Sequence, residues 1–243
     1  MTSTTTDWSD PAAWYDLLNP WGPSDDFHLA RLRDAERVLD VGCGTGMLLH
    51  RARREGHRGR LVGLEPDETM LARARALSPG GIEWVRGTAE EAPWTVEFDH
   101  AYMASNAFQC LATDAVLHAS LAAIHRALAP GGTFAFETRH PQARAWEDWN
   151  GTEKVVNPDG GTAVATQEVT AVDGDVVTLT ETFTGPWWPE PLLQQAQLRF
   201  LAPGPLNAFL ARAGFTVVEQ YGDWRRGPLT AASRVIVTVA QKG

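Results

Sequence analysis

The stretch Val38-Leu-Asp-Val-Gly-Cys-Gly-Thr-Gly46 decides the fold of this chain. Apolar and β-branched residues run up to Val41 and stop at glycines 42, 44 and 46. The pattern predicts a buried strand over 37–41, a turn over 42–46 and a helix from about Met47 to Glu55. Glycine lets the backbone come close to a ligand, where a Cβ would collide. In a doubly wound sheet, the turn after a strand opens into the ligand crevice at the carboxyl edge. The spacing is Gly-x-Gly-x-Gly, not the Gly-x-Gly-x-x-Gly of dinucleotide binders. Asp40 sits two residues before the first glycine. A carboxylate there is expensive unless it meets a cation or donors.

Outward from this turn, β-prone runs alternate with Ala/Leu/Arg-rich segments through the first 140 residues. Strands are expected at 60–64, 82–86, 98–103 and 133–137. Asp67 caps a helix carrying Met70, Leu71, Ala74 and Leu77 at helical spacing. A second amphipathic helix covers Asp114 to Leu128 and stops at Pro130-Gly131-Gly132. Such alternation implies an α/β fold: a doubly wound, mostly parallel sheet with helices on both faces. From Thr162 to Thr184 the sequence is β-prone without helical periodicity, and Val172-Asp-Gly-Asp175 is a hairpin signal. Gln195 to Leu201 is a further candidate strand. A helix over 205–213, stopped by Gly214, and strands at 215–220 and 234–240 complete the chain. The expected organisation is an N-terminal helical lid over 1–35, a core over 36–145 and 202–243, and a β-rich insertion over 146–201. The Ser/Thr-rich first six residues are expected to fray.

Composition bounds the function. The 243 residues suit one domain with a modest insertion. With Lys plus Arg at 21 and Asp plus Glu at 30, the net charge of -9 argues against a nucleic-acid partner. The arginines at 51, 53, 54, 58 and 60 read as a solvated helix face. No apolar run is long enough to span a membrane, so none is expected as a partner. The N-terminus lacks a basic start with an apolar stretch, which points to the cytoplasm. Cys43 and Cys110 form no disulfide framework and no metal-ligand spacing, so no metal is expected. Cys110 reads as a core thiol. Ten tryptophans are unusual; packing is their ordinary role.

Two further features join the glycine turn. Glu65 ends the second strand, where an acidic residue can accept both ribose hydroxyls of a nucleoside. Gly87-Thr-Ala-Glu-Glu-Ala-Pro93 follows the third, where a loop can reach an adenine edge. Together these residues resemble the class I S-adenosylmethionine-dependent methyltransferases, a Rossmann-like family, strongly over residues 36–138 and loosely over 205–240. The resemblance implies an antiparallel last strand and S-adenosylmethionine as cofactor. It puts Gly42, Cys43, Gly44 and Gly46 along the methionine and ribose, and Asp40 at the amino-acid end. Glu65 would take the ribose diol, and Pro66 and Met70 would pack near the adenine. Thr88, Ala89 and Glu90 would read its edge. Many members carry Asp where this chain has Thr88, which leaves Thr88 and Glu90 as alternatives for the exocyclic amine. Ala104, Ser105 and Asn106, after the fourth strand, would close over the sulfonium side.

A small-molecule methyl acceptor is expected. Methyl transfer from a sulfonium is an in-line displacement helped by positioning and exclusion of water. A base is needed only where the acceptor must lose a proton. His140, in Glu137-Thr-Arg-His-Pro141, is the candidate, although His before proline is also an ordinary turn residue. Trp14-Tyr15-Asp-Leu-Leu-Asn-Pro-Trp21 resembles the N-terminal lid of small-molecule methyltransferases, with Tyr15 over the cofactor. Trp21, Asn106, Phe108, Gln109, Trp146, Trp149, Tyr221 and Trp224 are the candidate acceptor wall, joined by Trp187 and Trp188. An aromatic wall suits a flat, apolar or cationic acceptor; each tryptophan could equally seal the insertion. The inserted strands resemble auxiliary sheets that serve related enzymes as a lid or a homodimer contact. The competing readings are a nucleotide-dependent oxidoreductase, disfavoured by the glycine spacing; a nucleic-acid or protein methyltransferase; and an S-adenosylmethionine-binding cyclase or other non-methylating protein.

Overall fold

The computed structural model describes residues 6–77 and 80–243. Most of the Ser/Thr-rich start, expected to fray, lies outside the described residues. Two helices open the chain, α1 (Pro11–Leu18) and α2 (Pro23–Leu32). Asp10 caps α1 by accepting the N–H of Ala12, and proline fills the first position of each helix. Proline is preorganised there and sacrifices no hydrogen bond.

The main sheet has seven strands in the order β10-β11-β5-β4-β1-β2-β3. These are β1 (Arg37–Val41), β2 (Arg60–Glu65), β3 (Glu83–Arg86), β4 (Phe98–Met103), β5 (Leu128–Arg139), β10 (Phe215–Tyr221) and β11 (Val235–Lys242). The first five pair in parallel, and β11 runs antiparallel to both β5 and β10. Helices α3 (Met47–Arg54), α4 (Glu68–Leu77), α5 (Asp114–Ala127) and α6 (Pro203–Arg212) complete the α/β core. Both sheet faces are covered. Leu39 and Val41 pack with Leu121, Ile124 and Phe209 on one side. Val38 and Tyr102 pack with Phe27, Leu48 and Leu49 on the other. Burial on both faces is why these strands are continuously apolar. The order reverses around β1, whose neighbours are β2 and β4. The glycine turn therefore sits at the topological switch point, where a crevice opens.

The insertion is a separate antiparallel sheet in the order β6-β7-β8-β9, made of β6 (Gly151–Val156), β7 (Thr162–Asp173), β8 (Val176–Thr184) and β9 (Leu192–Arg199). The hairpin at 173–176 forms as expected. Strand β6 escapes sequence reading because nearly all its side chains are exposed and Gly-Thr-Glu-Lys offers no alternation. A second difference concerns Pro130-Gly131-Gly132. Helix α5 ends at Ala127 and β5 begins at once, with Leu128 paired to Phe98. The Pro-Gly-Gly stretch lies within the strand, at a register shift between Phe98 and His100, and Gly131 has φ +76°. Of the basic cluster, Arg51 pairs with Glu55 and Arg60 with Glu83 and Glu97, and Arg53 donates to the carbonyls of His57, Gly59 and Gly81.

Candidate cofactor and acceptor site

The turn after β1 is held by backbone bonds. Gly42 and Cys43 both donate to the Leu64 carbonyl of β2, at 2.8 and 3.1 Å, and Gly46 donates to the Cys43 carbonyl at 2.9 Å. Gly42, Gly44 and Gly46 all have left-handed φ, from +54° to +74°. A Cβ on Gly46 would lie 2.2 Å from the Trp84 ring, so this glycine also serves packing. A Cβ on Gly44 would meet only Tyr15 Cε1, at 3.9 Å. Gly44 thus faces the open cradle, with Tyr15 above it. Glu65 braces the turn: one carboxylate oxygen accepts the Gly44 N–H at 2.9 Å and the other accepts the Asp67 N–H at 3.0 Å. Asp67 in turn accepts the Thr69 N–H and begins α4. Burial pushes the Glu65 carboxyl above its ordinary range, against the pull of those two N–H donors.

Asp40 lies at the floor, 4% exposed. The Tyr102 hydroxyl donates to its Oδ2 at 2.7 Å. Burial still pushes the Asp40 carboxyl up to about 8. A buried carboxylate with one hydroxyl donor is short of partners and favours a cation beside it. Asp40, Gly42, Cys43, Gly44, Thr45, Ala104 and Ser105 converge on one small cavity with Tyr15, Asp16 and Asn19 of the α1 segment. Glycines that leave room, a carboxylate at the second strand's end and a cation-seeking aspartate fit the nucleoside and amino-acid ends of S-adenosylmethionine.

Helix α1 is tied across the cradle by Asp16. That carboxylate accepts from the Thr45 hydroxyl at 2.5 Å and from Arg73 Nε at 2.6 Å. Burial, followed by the charges of Glu65 and Asp16, pushes the Tyr15 phenol up to about 12.

Beyond Tyr15 the cavity widens into a cleft of about 520 Å³ between α1 and the inserted sheet. Strand register explains its lining. Gly151, Gln167, Glu181 and Gln194 form one cross-strand row, and Glu153, Ala165, Phe183 and Leu192 the next. Residues two apart on a strand share a face, so both rows look into the cleft. Trp14, Trp188, Trp149, Met70 and Asp148 close the remaining sides. The tryptophans also join the insertion to α1. Trp14 packs on Trp8, Trp187 and Trp188 with ring centroids 4.9–5.9 Å apart. Trp188 Nε1 donates to the Ser9 carbonyl and Trp8 Nε1 to Asp159.

The other expected site residues are distributed as follows. Pro66 offers its carbonyl to Arg86. Thr88 and Glu91 form a capping box around a 3-10 turn over 89–91, with Ala89 buried in it and Glu90 accepting from Ser120. Asn106 follows Ser105 in a left-handed corner; its backbone N–H is held by Glu137. Phe108 stacks on Phe136 at 4.0 Å within the core. Gln109 is fully buried, donating to the Arg199 carbonyl and accepting from Arg139. His140 Nδ1 accepts the Gln142 N–H and caps the turn at Pro141–Ala143. It lines neither cavity. Trp21 lies under Arg51 and donates to Asp26. Trp146 packs edge-on against Phe200 beneath the insertion. Tyr221 donates to Glu219, and Trp224 packs on Phe27 and His28 behind the cradle. Cys110, expected in the core, is exposed, because its 3-10 turn directs Phe108 and Gln109 inward. Asp16, Asn19, Glu137 and Glu181 are the residues sequence reading missed. Lid helix, strand end and inserted strand are legible, but which side chains meet across them is not.

Residues 38–132 match the family model of the methyltransferase domain. An uncharacterized methyltransferase from Synechocystis is 30% identical over 134 residues, spanning 53% of this chain and 60% of that protein. The chain spans less than two thirds of the length of the first curated relatives it matches. Among solved structures, an S-adenosylmethionine-dependent methyltransferase from Clostridium acetobutylicum shares the fold at TM-score 0.77 and 14% identity, over 97% of this chain and 99% of that one. The S-adenosylmethionine-bound amino pentose methyltransferase CalS10 from Micromonospora echinaspora aligns over the whole of both chains, at TM-score 0.70 and 25% identity.

Proposed function

We propose that this chain, whose residues 38–132 match the methyltransferase domain model and whose whole length resembles an S-adenosylmethionine-bound methyltransferase, is an S-adenosylmethionine-dependent methyltransferase acting on a small molecule held between α1 and the inserted sheet. The observation that carries the reading is a shared wall: Tyr15 and Asn19 border both the cofactor cradle and the cleft. Whatever fills the cleft therefore abuts the cradle.

The cofactor, when bound, supplies an electrophilic methyl on a positively charged sulfur. Gly42, Gly44 and Glu65 hold its nucleoside end in this reading, and Asp40 the ammonium group of its amino-acid end. Tyr15, latched through Asp16, excludes water from the junction. Positioning and exclusion of water then lower the barrier for an in-line displacement. His140 acts here as a turn cap and not as a base.

The cleft lining favours a basic amine as acceptor. Asp148, Glu153 and Glu181 line it together with Tyr15, Trp149, Phe183 and Trp188, and among the described residues no Lys or Arg does. Aromatic faces hold a desolvated cation by about 1–2 kcal/mol, and the carboxylates add charge attraction. The amino pentose methyltransferase CalS10, alike over its full length, supports a polar, nitrogen-bearing metabolite, and with it a place in specialised metabolism. The unpaired thiols Cys43 and Cys110 suit a reducing compartment such as the cytoplasm. A homodimer would use the free edges β6 and β9, where Leu193 is exposed; light scattering at several concentrations tests it.

The direct test incubates the protein with methyl-labelled S-adenosylmethionine and matched amines, alcohols and carboxylic acids. Label is expected on amines above the others. Absence of calorimetric heat with S-adenosylmethionine and with S-adenosylhomocysteine would overturn the assignment itself. Binding of both with label transferred only to alcohols or acids would overturn the amine reading alone.

A further inference from the structure

The corner at Ser105–Asn106 has two consecutive non-glycine residues in the left-handed region, with φ +54° and +61°. L-residues pay a steric penalty there, least for asparagine, and two in succession need support from the surrounding structure. Ala104 and Ser105 form part of the cradle wall, so the strain lies beside the cofactor.

The corner is closed by the Ala107 N–H donating to the Ala104 carbonyl at 3.0 Å and is bound from outside by Glu137, near the end of β5 and completely buried. Its Oε1 accepts the Asn106 backbone N–H at 2.9 Å and the Ser24 hydroxyl at 3.2 Å. Its Oε2 meets His28 Nε2 at 2.9 Å. Ser24 and His28 both belong to α2, and His28 is itself fully buried. The His28 ring stacks on Tyr102, centroids 5.3 Å apart, and Tyr102 donates to Asp40 on the cradle floor. One carboxylate thus joins α2, β5 and the corner after β4, while its partner His28 packs on the phenol that positions Asp40.

We infer that Glu137 is a positioning residue: through the Asn106 N–H it holds the left-handed 105–106 corner, and through His28 it fixes that corner relative to Tyr102 and Asp40. It touches neither cavity, so its effect on cofactor and methyl transfer passes through the wall. The inference rests on the methyltransferase reading, because its test is the affinity for a product of that cofactor.

The experiment compares Glu137→Gln, Glu137→Ala and the double variant Glu137→Ala with Asn106→Gly, using S-adenosylhomocysteine as probe and thermal melting as the stability control. Glutamine retains a carbonyl acceptor for the Asn106 N–H and a donor for a retautomerised His28, so it should bind within a few-fold of the parent. Alanine should weaken binding roughly 10- to 100-fold, the penalty of a misplaced wall. Glycine adopts positive φ without strain. Adding Asn106→Gly to the alanine variant should therefore restore most of the affinity while leaving the melting temperature low. A purely structural role for Glu137 predicts the opposite, affinity following stability with no rescue, and that result overturns the inference. So does an alanine variant that binds like the parent. If the parent protein itself fails to bind the probe, the cofactor reading falls and the positioning claim falls with it; parent binding with no rescue removes the positioning claim alone.

Discussion

Replacing Glu65 separates bracing from binding. Its two oxygens hold the N–H groups of Gly44 and Asp67 at 2.9 and 3.0 Å, and the residue is 8% exposed. Glu65→Ala strands both donors. A hydrogen bond to a charged acceptor is worth about 1.5–3 kcal/mol, but burial already disfavours the Glu65 charge, which offsets part of that. A loss of about 1–3 kcal/mol in folding stability is expected, read by denaturant titration. On the proposed placement of the ribose at Glu65, the same substitution removes a further 1–3 kcal/mol or so of cofactor binding, which is roughly 5- to 150-fold in Kd at 1.4 kcal/mol per decade. Glu65→Gln keeps one carbonyl acceptor and relieves the buried charge, but turns an NH2 donor toward the other N–H and leaves that donor unpaired. It should lose less stability than the alanine variant and bind S-adenosylhomocysteine less tightly than the parent, by about tenfold. Calorimetric titration of the three proteins decides. Unchanged affinity in the alanine variant would refute the placement of the ribose. Equal destabilisation of Gln and Ala would refute the bracing role.

Asp40→Asn should change the pH dependence of stability. The buried carboxyl titrates near 8, against an ordinary 3.8. A raised carboxyl pKa adds stability that is complete below about pH 4 and lost as pH rises toward 8, at about 1.36 kcal/mol per pH unit at most. Denaturation midpoints of parent and variant should therefore diverge between pH 4 and 8, the parent falling; parallel curves would contradict the burial argument. Asp16→Ala releases the latch to Thr45 and Arg73 and should raise the proteolytic sensitivity of residues 6–20, with a loss of roughly 1–2 kcal/mol; unchanged cleavage kinetics would count against the latch. Gly46→Ala combines a left-handed φ with a clash on Trp84 and should destabilise by more than about 2 kcal/mol. A melting temperature within a degree or two of the parent would refute it.

The core was legible because its signals are local. The run 38–46 encodes strand, turn and switch point in nine adjacent residues, and Asp67 announces α4 by the carboxylate that caps it. The acceptor side was legible only in kind. The tryptophans pointed to a wall, yet Trp146 and Trp224 turned out to pack under it while Trp14 and Trp188 face the cleft. Which residues meet depends on register: Glu181 enters the cleft because β8 pairs Gln167 with Glu181 and not with a neighbour, and a one-residue slip would reverse every side chain. Glu137 was invisible for a related reason. Its three partners come from segments 31 to 113 residues away in sequence, and no pattern within β5 marks it. Strand β6 lacked a signal because its side chains answer to solvent and not to a core.

The shared boundary along α1 has a practical consequence for redesign. Tyr15 and Asn19 belong to both chambers, so, on the proposed function, substitutions on that segment would alter the grip on the methyl donor whenever they alter what enters next door. The floor at Gln167, Glu181, Phe183 and Gln194 stands on a different sheet from the glycine turn. Libraries aimed at new acceptors should therefore draw their diversity from those strands and leave the helix untouched.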